Sequence, residues 1–121
     1  MDEMRFVNLT PYAIRLRRDI LQPEEDALKT DMVIPPSGKL ARIDVEMIWY
    51  GRKVNGFPVF ETKWGKIQGL PRRRANTIYI VSMICARHTR RRDVLAPCPD
   101  SSAIRTEDGK IFAVRGFCGN E

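Results

Sequence analysis

The sequence predicts an α+β fold, predominantly antiparallel β-sheet with hairpins and one short helix. Three observations carry that expectation. Several segments alternate apolar and polar residues with period two, as in Ile14-Arg15-Leu16-Arg17 and again in Ala41 to Met47. Two dipeptides suited to tight reversals, Asn55-Gly56 and Asp108-Gly109, each lie between such segments. One run, Thr77-Ile78-Tyr79-Ile80-Val81, is dense in β-branched and aromatic residues and reads as a buried strand.

Taken in order, Arg5 to Leu9 and Tyr12 to Arg17 read as short strands. Thr10-Pro11 between them reads as a turn or the edge of a pair, since Pro11 has no N–H for a ladder. Asp19 to Asp31 is acidic, holds Pro23 and reads as a long exposed loop. Pro35-Pro36-Ser37-Gly38 is a turn. The strand from Leu40 to Tyr50 is expected to pair antiparallel with Phe57 to Thr62 across Asn55-Gly56. Gly65, Gly69 and Pro71 punctuate short extended pieces. Ser82 is placed to cap a helix over Met83 to Arg90, although the apolar positions make no clean stripe. Ala103 to Thr106 and Ile111 to Val114 form the last hairpin. Residues 1–121 are expected to be one domain, long enough for a core without disulfides or metal.

Charge is divided unevenly. Residues 1–60 hold nine Lys/Arg against nine Asp/Glu; residues 61–121 hold twelve against six, which accounts for the net +6. Half of those twelve are two triplets, Arg72-Arg73-Arg74 and Arg90-Arg91-Arg92. Arginine presents a planar fork that matches phosphate oxygens, so a phosphate-bearing partner is the first hypothesis. Solvated loop surface is the plainer alternative for each triplet. The context separates them. Arg72–Arg74 follows Pro71 in a turn-like segment, whereas Arg91 and Arg92 precede Asp93, a carboxylate able to hold a fork in place.

Chemistry is not expected. The only histidine, His88, follows Cys85 by three residues, but Cys85 reads as a buried small hydrophobe rather than a nucleophile. Neither a metal set nor a cofactor is expected, and no phosphate-binding glycine loop occurs. The three cysteines, odd in number and without C-x-x-C spacing, suit a reducing cytoplasm. No apolar run is long enough for a membrane span, and the acidic opening lacks a signal-peptide core. Binding remains. Arg91, Arg92, Arg105 and Arg115 are candidate forks, and Asp93 and Asn76 candidate partners for a base edge or a ribose. Trp64 and Phe60 are candidate stacking faces, while Trp49, set in an apolar strand, is expected in the core.

Several blocks, in order, resemble a family of small phage and prophage proteins. They are Val7-Asn8-Leu9-Thr10-Pro11-Tyr12-Ala13-Ile14, Ile34-Pro35-Pro36-Ser37-Gly38-Lys39-Leu40-Ala41-Arg42, Gly69-Leu70-Pro71, Ile78-Tyr79-Ile80-Val81-Ser82 and Arg92-Asp93-Val94-Leu95-Ala96-Pro97. The family opens on Asn-Leu-Thr-Pro-His, ends in a glycine-turn hairpin and includes the first-described type of Thoeris anti-defence sponge. The resemblance implies a homo-oligomer, dimeric or higher, in the cytoplasm of a bacterial host. It would hold cyclic ADP-ribose isomers without cleaving them, with cyclic oligonucleotides as a further ligand class. It points to Asn8, Thr10, Ser82, Arg91, Asp93 and Arg105 as ligand-binding. Tyr12 in place of the histidine and the long Asp19–Asp31 insertion depart from the pattern. The alternatives are a phage-encoded binder of polymer nucleic acid or inhibitor of a nuclease system, and a virion or scaffold component.

Overall fold

A computed structural model describes residues 3–17, 32–99, 103–105 and 107–119. The expected Asp19–Asp31 loop lies outside them. The strands are β1 (Arg5–Asn8), β2 (Ile14–Leu16), β3 (Met32–Ile34), β4 (Arg42–Val54), β5 (Phe57–Gln68), β6 (Thr77–Ile80), β7 (Val94–Pro97), β8 (Ile104–Arg105), β9 (Ile111–Ala113) and β10 (Phe117–Gly119). One helix, α1 (Met83–Arg87), lies between β6 and β7. The fold is predominantly antiparallel β with hairpins and one short helix, as the alternation implied. Among the described residues no helix is long and apolar enough to cross a membrane.

The central sheet has the order β1-β6-β7-β10 and is mixed. β6 runs parallel to both β1 and β7, and β10 closes the edge antiparallel to β7. Parallel neighbours need a long crossover, and residues 81–93 supply one that contains α1. Ser82 starts that helix: its hydroxyl accepts from the Cys85 N–H at 3.3 Å. The helix stops at Arg87, three residues short of the expected end, where the His88 N–H turns to the Cys85 carbonyl at 3.1 Å. β1 and β2 do not form a hairpin. β2 pairs instead with β3, across the segment that follows it.

Alternation along β6 divides the core in two. Tyr79 and Val81 face α1, where they join Leu9, Cys85, Ala86, Val94 and Ala96. Ile80 faces the other way, onto Ile14, Ile34 and Val114 from the β2–β3 hairpin and the C-terminal segment. A strand covered on both faces must be apolar throughout, which is why this run stood out in the sequence.

The β4–β5 hairpin is an arm. Asn55 and Gly56 at its tip have φ of 50° and 83°, the paired positive values of a type I′ turn. β5 does not end near Thr62; it continues through Gly65 to Gln68. Gly65 and Lys66 together oppose Asp44, a bulge that lets the strand run on. Gly69 then closes the arm at φ 83°, with Leu40 O packed where a Cβ would stand. Gly69→Ala is therefore expected to lower unfolding stability by about 2 kcal/mol, from combined φ strain and backbone overlap. Urea denaturation checks this, with Gly51→Ala as the comparison: φ there is also positive, but nothing crowds the position.

Candidate functional site

The second arginine triplet builds a clamp. Arg91 Nε donates to Asp93 Oδ1 at 3.0 Å and Arg91 Nη2 to Asp93 Oδ2 at 2.7 Å, a two-pronged fork. Arg91 Nη1 donates to the Pro71 carbonyl at 2.7 Å. The guanidinium lies over the Tyr79 ring, 5.8 Å from its centroid, and the Tyr79 hydroxyl donates to the Arg72 carbonyl at 3.0 Å. Arg73 Nε stands 3.7 Å from Asp93 Oδ1. The side chains of Arg91 and Asp93 are only 22% and 16% exposed. The hydrogen bonds from Arg91, against an opposing desolvation, hold the Asp93 carboxyl below the usual range, and the same bonds raise Arg91. Arg91 and Asp93 thus satisfy one another and pin the segment carrying the first triplet.

That pinned segment forms one wall of a basic cleft of about 240 Å³. β1 and β6 are parallel with Arg5 opposite Thr77, so Arg5 stands beside Arg74, just before β6. The same register makes Val7, Leu9 and Tyr79 one apolar floor. The loop after β3 supplies the facing wall, Ser37 and Lys39; it is tied down by the Ser37 N–H, which donates to the Asn8 carbonyl at 3.0 Å. Three cations, Arg5, Lys39 and Arg74, therefore line one concavity, and among the described residues no carboxylate lines it. An anion with several oxygens is the complement of such a surface.

A second, mostly apolar cavity of about 480 Å³ lies on the other side of the opening loop. It brings together Thr10, Tyr12 and Ser82, with Val81 and Ala113 beneath. Thr10 and Ser82 thus line the same cavity. Both also serve the fold: Ser82 caps α1, and the Thr10 hydroxyl donates to Asn8 Oδ1 at 2.7 Å. Asn8 is buried, and its amide holds the Tyr12 and Ile34 carbonyls at 2.7 and 3.1 Å while Oδ1 also accepts from the Thr10 N–H. All of its hydrogen-bonding capacity goes into shaping the loop.

The other expected ligand residues are dispersed. Arg92 is exposed beside the clamp, Arg105 donates to the Gly109 carbonyl within the last hairpin, and Arg115 is partly buried after β9. None of them lines either cavity. Trp64 rests on His88, ring centroids 4.7 Å apart, and is 42% exposed. Trp49 is not in the core: it is 46% exposed, because the arm extends past the body that would cover it. Asn76 takes φ 52° and its carbonyl accepts from the Arg5 N–H, so its backbone anchors the start of β1. Cys85 is buried with its sulfur toward the Ala41 carbonyl, and His88 Nδ1 lies 2.8 Å from the Ile84 carbonyl. Sequence reasoning missed Arg5 and Lys39, and it read Arg72–Arg74 as the solvated triplet, whereas Arg74 lines the cleft and Arg91 braces it from behind. A lone cation outside a run has no local signal; the parallel β1–β6 pairing brings Arg5 to Arg74, and the loop after β3 brings Lys39. No family model, curated protein or solved structure matches the chain.

Proposed function

We propose that the protein is a non-catalytic binder that sequesters a cyclic nucleotide signal of the cyclic ADP-ribose type, with the ligand's diphosphate seated on Arg5, Lys39 and Arg74. The observation that carries this reading is the convergence of three cations, without a lining carboxylate, on an apolar floor braced from behind by Arg91 and Asp93. Bracing matters because a held wall loses little freedom when a ligand arrives. The ligand class comes from the resemblance of the ordered sequence blocks to the phage sponges.

The volume bears on the assembly. About 240 Å³ is smaller than the roughly 300–1,000 Å³ that encloses a whole small ligand. The cleft holds the phosphates, and the sugars and base extend across its mouth, where a second chain would cover them. Sequestration without turnover is supported by the burial of Cys85 and by the His88 ring nitrogen being turned to the Ile84 carbonyl.

The test is calorimetry of the purified protein with cyclic ADP-ribose isomers, followed by heat denaturation and mass spectrometry of what is released. Binding with the ligand recovered intact is expected. A linearised product formed in proportion to protein, or no binding of any isomer, overturns the reading. Salt dependence separates a polymer partner: a nucleic-acid track loses affinity with a logarithmic slope of roughly −0.9 per phosphate contacted, so a slope far steeper than three cations allow points to a polymer.

A further inference from the structure

The arm carries a surface that the body leaves uncovered. Cross-strand partners share a face, and three successive rungs are Val45–Trp64, Met47–Thr62 and Trp49–Phe60. All six side chains are exposed, and none is charged. The opposite face differs, with Glu46 across from Lys63 and Ile48 across from Glu61. The apolar side is the one that packs Ile43 onto the core at the arm's base. It then runs outward past the body, and among the described residues the ring contact on it from the body is His88 against Trp64. A two-stranded ribbon is marginal in water unless one face packs on something.

We infer that this stripe is a self-association surface, on which the same stripe of a second copy packs face to face about a two-fold axis near the Met47–Thr62 rung. At ~150–250 Å² for a large side chain, roughly half exposed, the six residues present about 600 Å², and two copies bury about 1,200 Å², the lower bound of a stable specific interface. A patch of that size stands at the upper end of what monomers usually leave in water. The stripe is self-complementary. An aromatic rung stands on each side of the smaller central one, and a two-fold sets each against its counterpart with no charge buried unpaired. Lys53, with its ammonium 5.5 Å from the Trp49 ring, stays at the distal rim, and the Glu46–Lys63 face stays in water.

The inference concerns the arm alone and needs no nucleotide, so its failure and that of the nucleotide reading are seen separately. Sedimentation velocity on the full chain without nucleotide is expected to give a dimer. Met47→Glu is expected to weaken association roughly 100-fold, because each substitution enters a two-fold interface twice. Glu61→Lys, on the opposite face, is expected to leave it unchanged. The chain has two tryptophans, Trp49 and Trp64, and both lie on the stripe. Their emission should move to the blue as wild-type concentration rises, and stay fixed in Met47→Glu. Unchanged far-ultraviolet circular dichroism establishes that this variant is folded. A wild-type monomer at about 100 µM, or a dimer that Met47→Glu does not weaken, overturns the proposal, including where another protein is the occupant.

Discussion

Arg74→Glu is expected to reduce affinity for a cyclic ADP-ribose ligand by roughly 100- to 1,000-fold while leaving the fold intact. A hydrogen bond to a charged group contributes about 1.5–3 kcal/mol, and reversing the charge adds repulsion from a carboxylate facing the diphosphate. A total of about 3–4 kcal/mol corresponds to that range at 1.4 kcal/mol per decade. The control is Arg72→Glu, in the same triplet and with the same change in net charge. Arg72 does not line the cleft, and its structural use is the carbonyl that accepts from the Tyr79 hydroxyl. It should lose only the screened, long-range part of the attraction, less than tenfold at moderate salt. Calorimetry on both variants decides the matter. Equal losses would mean that the general field of the second half attracts the ligand and that the cleft does not hold it.

Arg91→Ala should destabilise the protein by about 3 kcal/mol, near the bottom of the ~3–5 kcal/mol range for breaking a buried pair, because Arg91 and Asp93 retain some solvent contact. The variant leaves Asp93 without its fork and the Pro71 carbonyl without its donor. Ligand affinity should fall as well, since the wall bearing Arg74 is no longer held. The acid limb of the stability curve gives a second readout. The Asp93 pKa is lowered in the folded chain, and in the unfolded chain it returns to about 3.9. Between those values the unfolded state holds the extra proton, so stability rises with pH there. The contribution is complete above the unfolded value and is lost as pH falls through the folded one. Urea denaturation from pH 3 to 7 should show a shallower acid decline in Arg91→Ala than in wild type. Parallel curves would assign the acid limb to other carboxylates.

Local chemistry was legible in the sequence. Asn55-Gly56 specifies a tight reversal through the φ values only such residues take readily, and Ser82 specifies a helix start through its hydroxyl. Thr77 to Val81 announced a buried strand, and Asp93, two residues from Arg91, was legible as the holder of a fork. Each of these depends on groups a few residues apart. What tertiary structure decided depends on groups far apart. Alternation reads the same in parallel and antiparallel strands, so the pairing of β6 with β1 and β7 was invisible until the crossover through α1 was in place. That pairing alone sets Arg5 beside Arg74, and the loop after β3 adds Lys39. Trp49 looked like core because its strand is apolar. An apolar side chain is buried only if another layer reaches it, and the strand pattern that requires a covering layer does not say whether this chain or a second one supplies it.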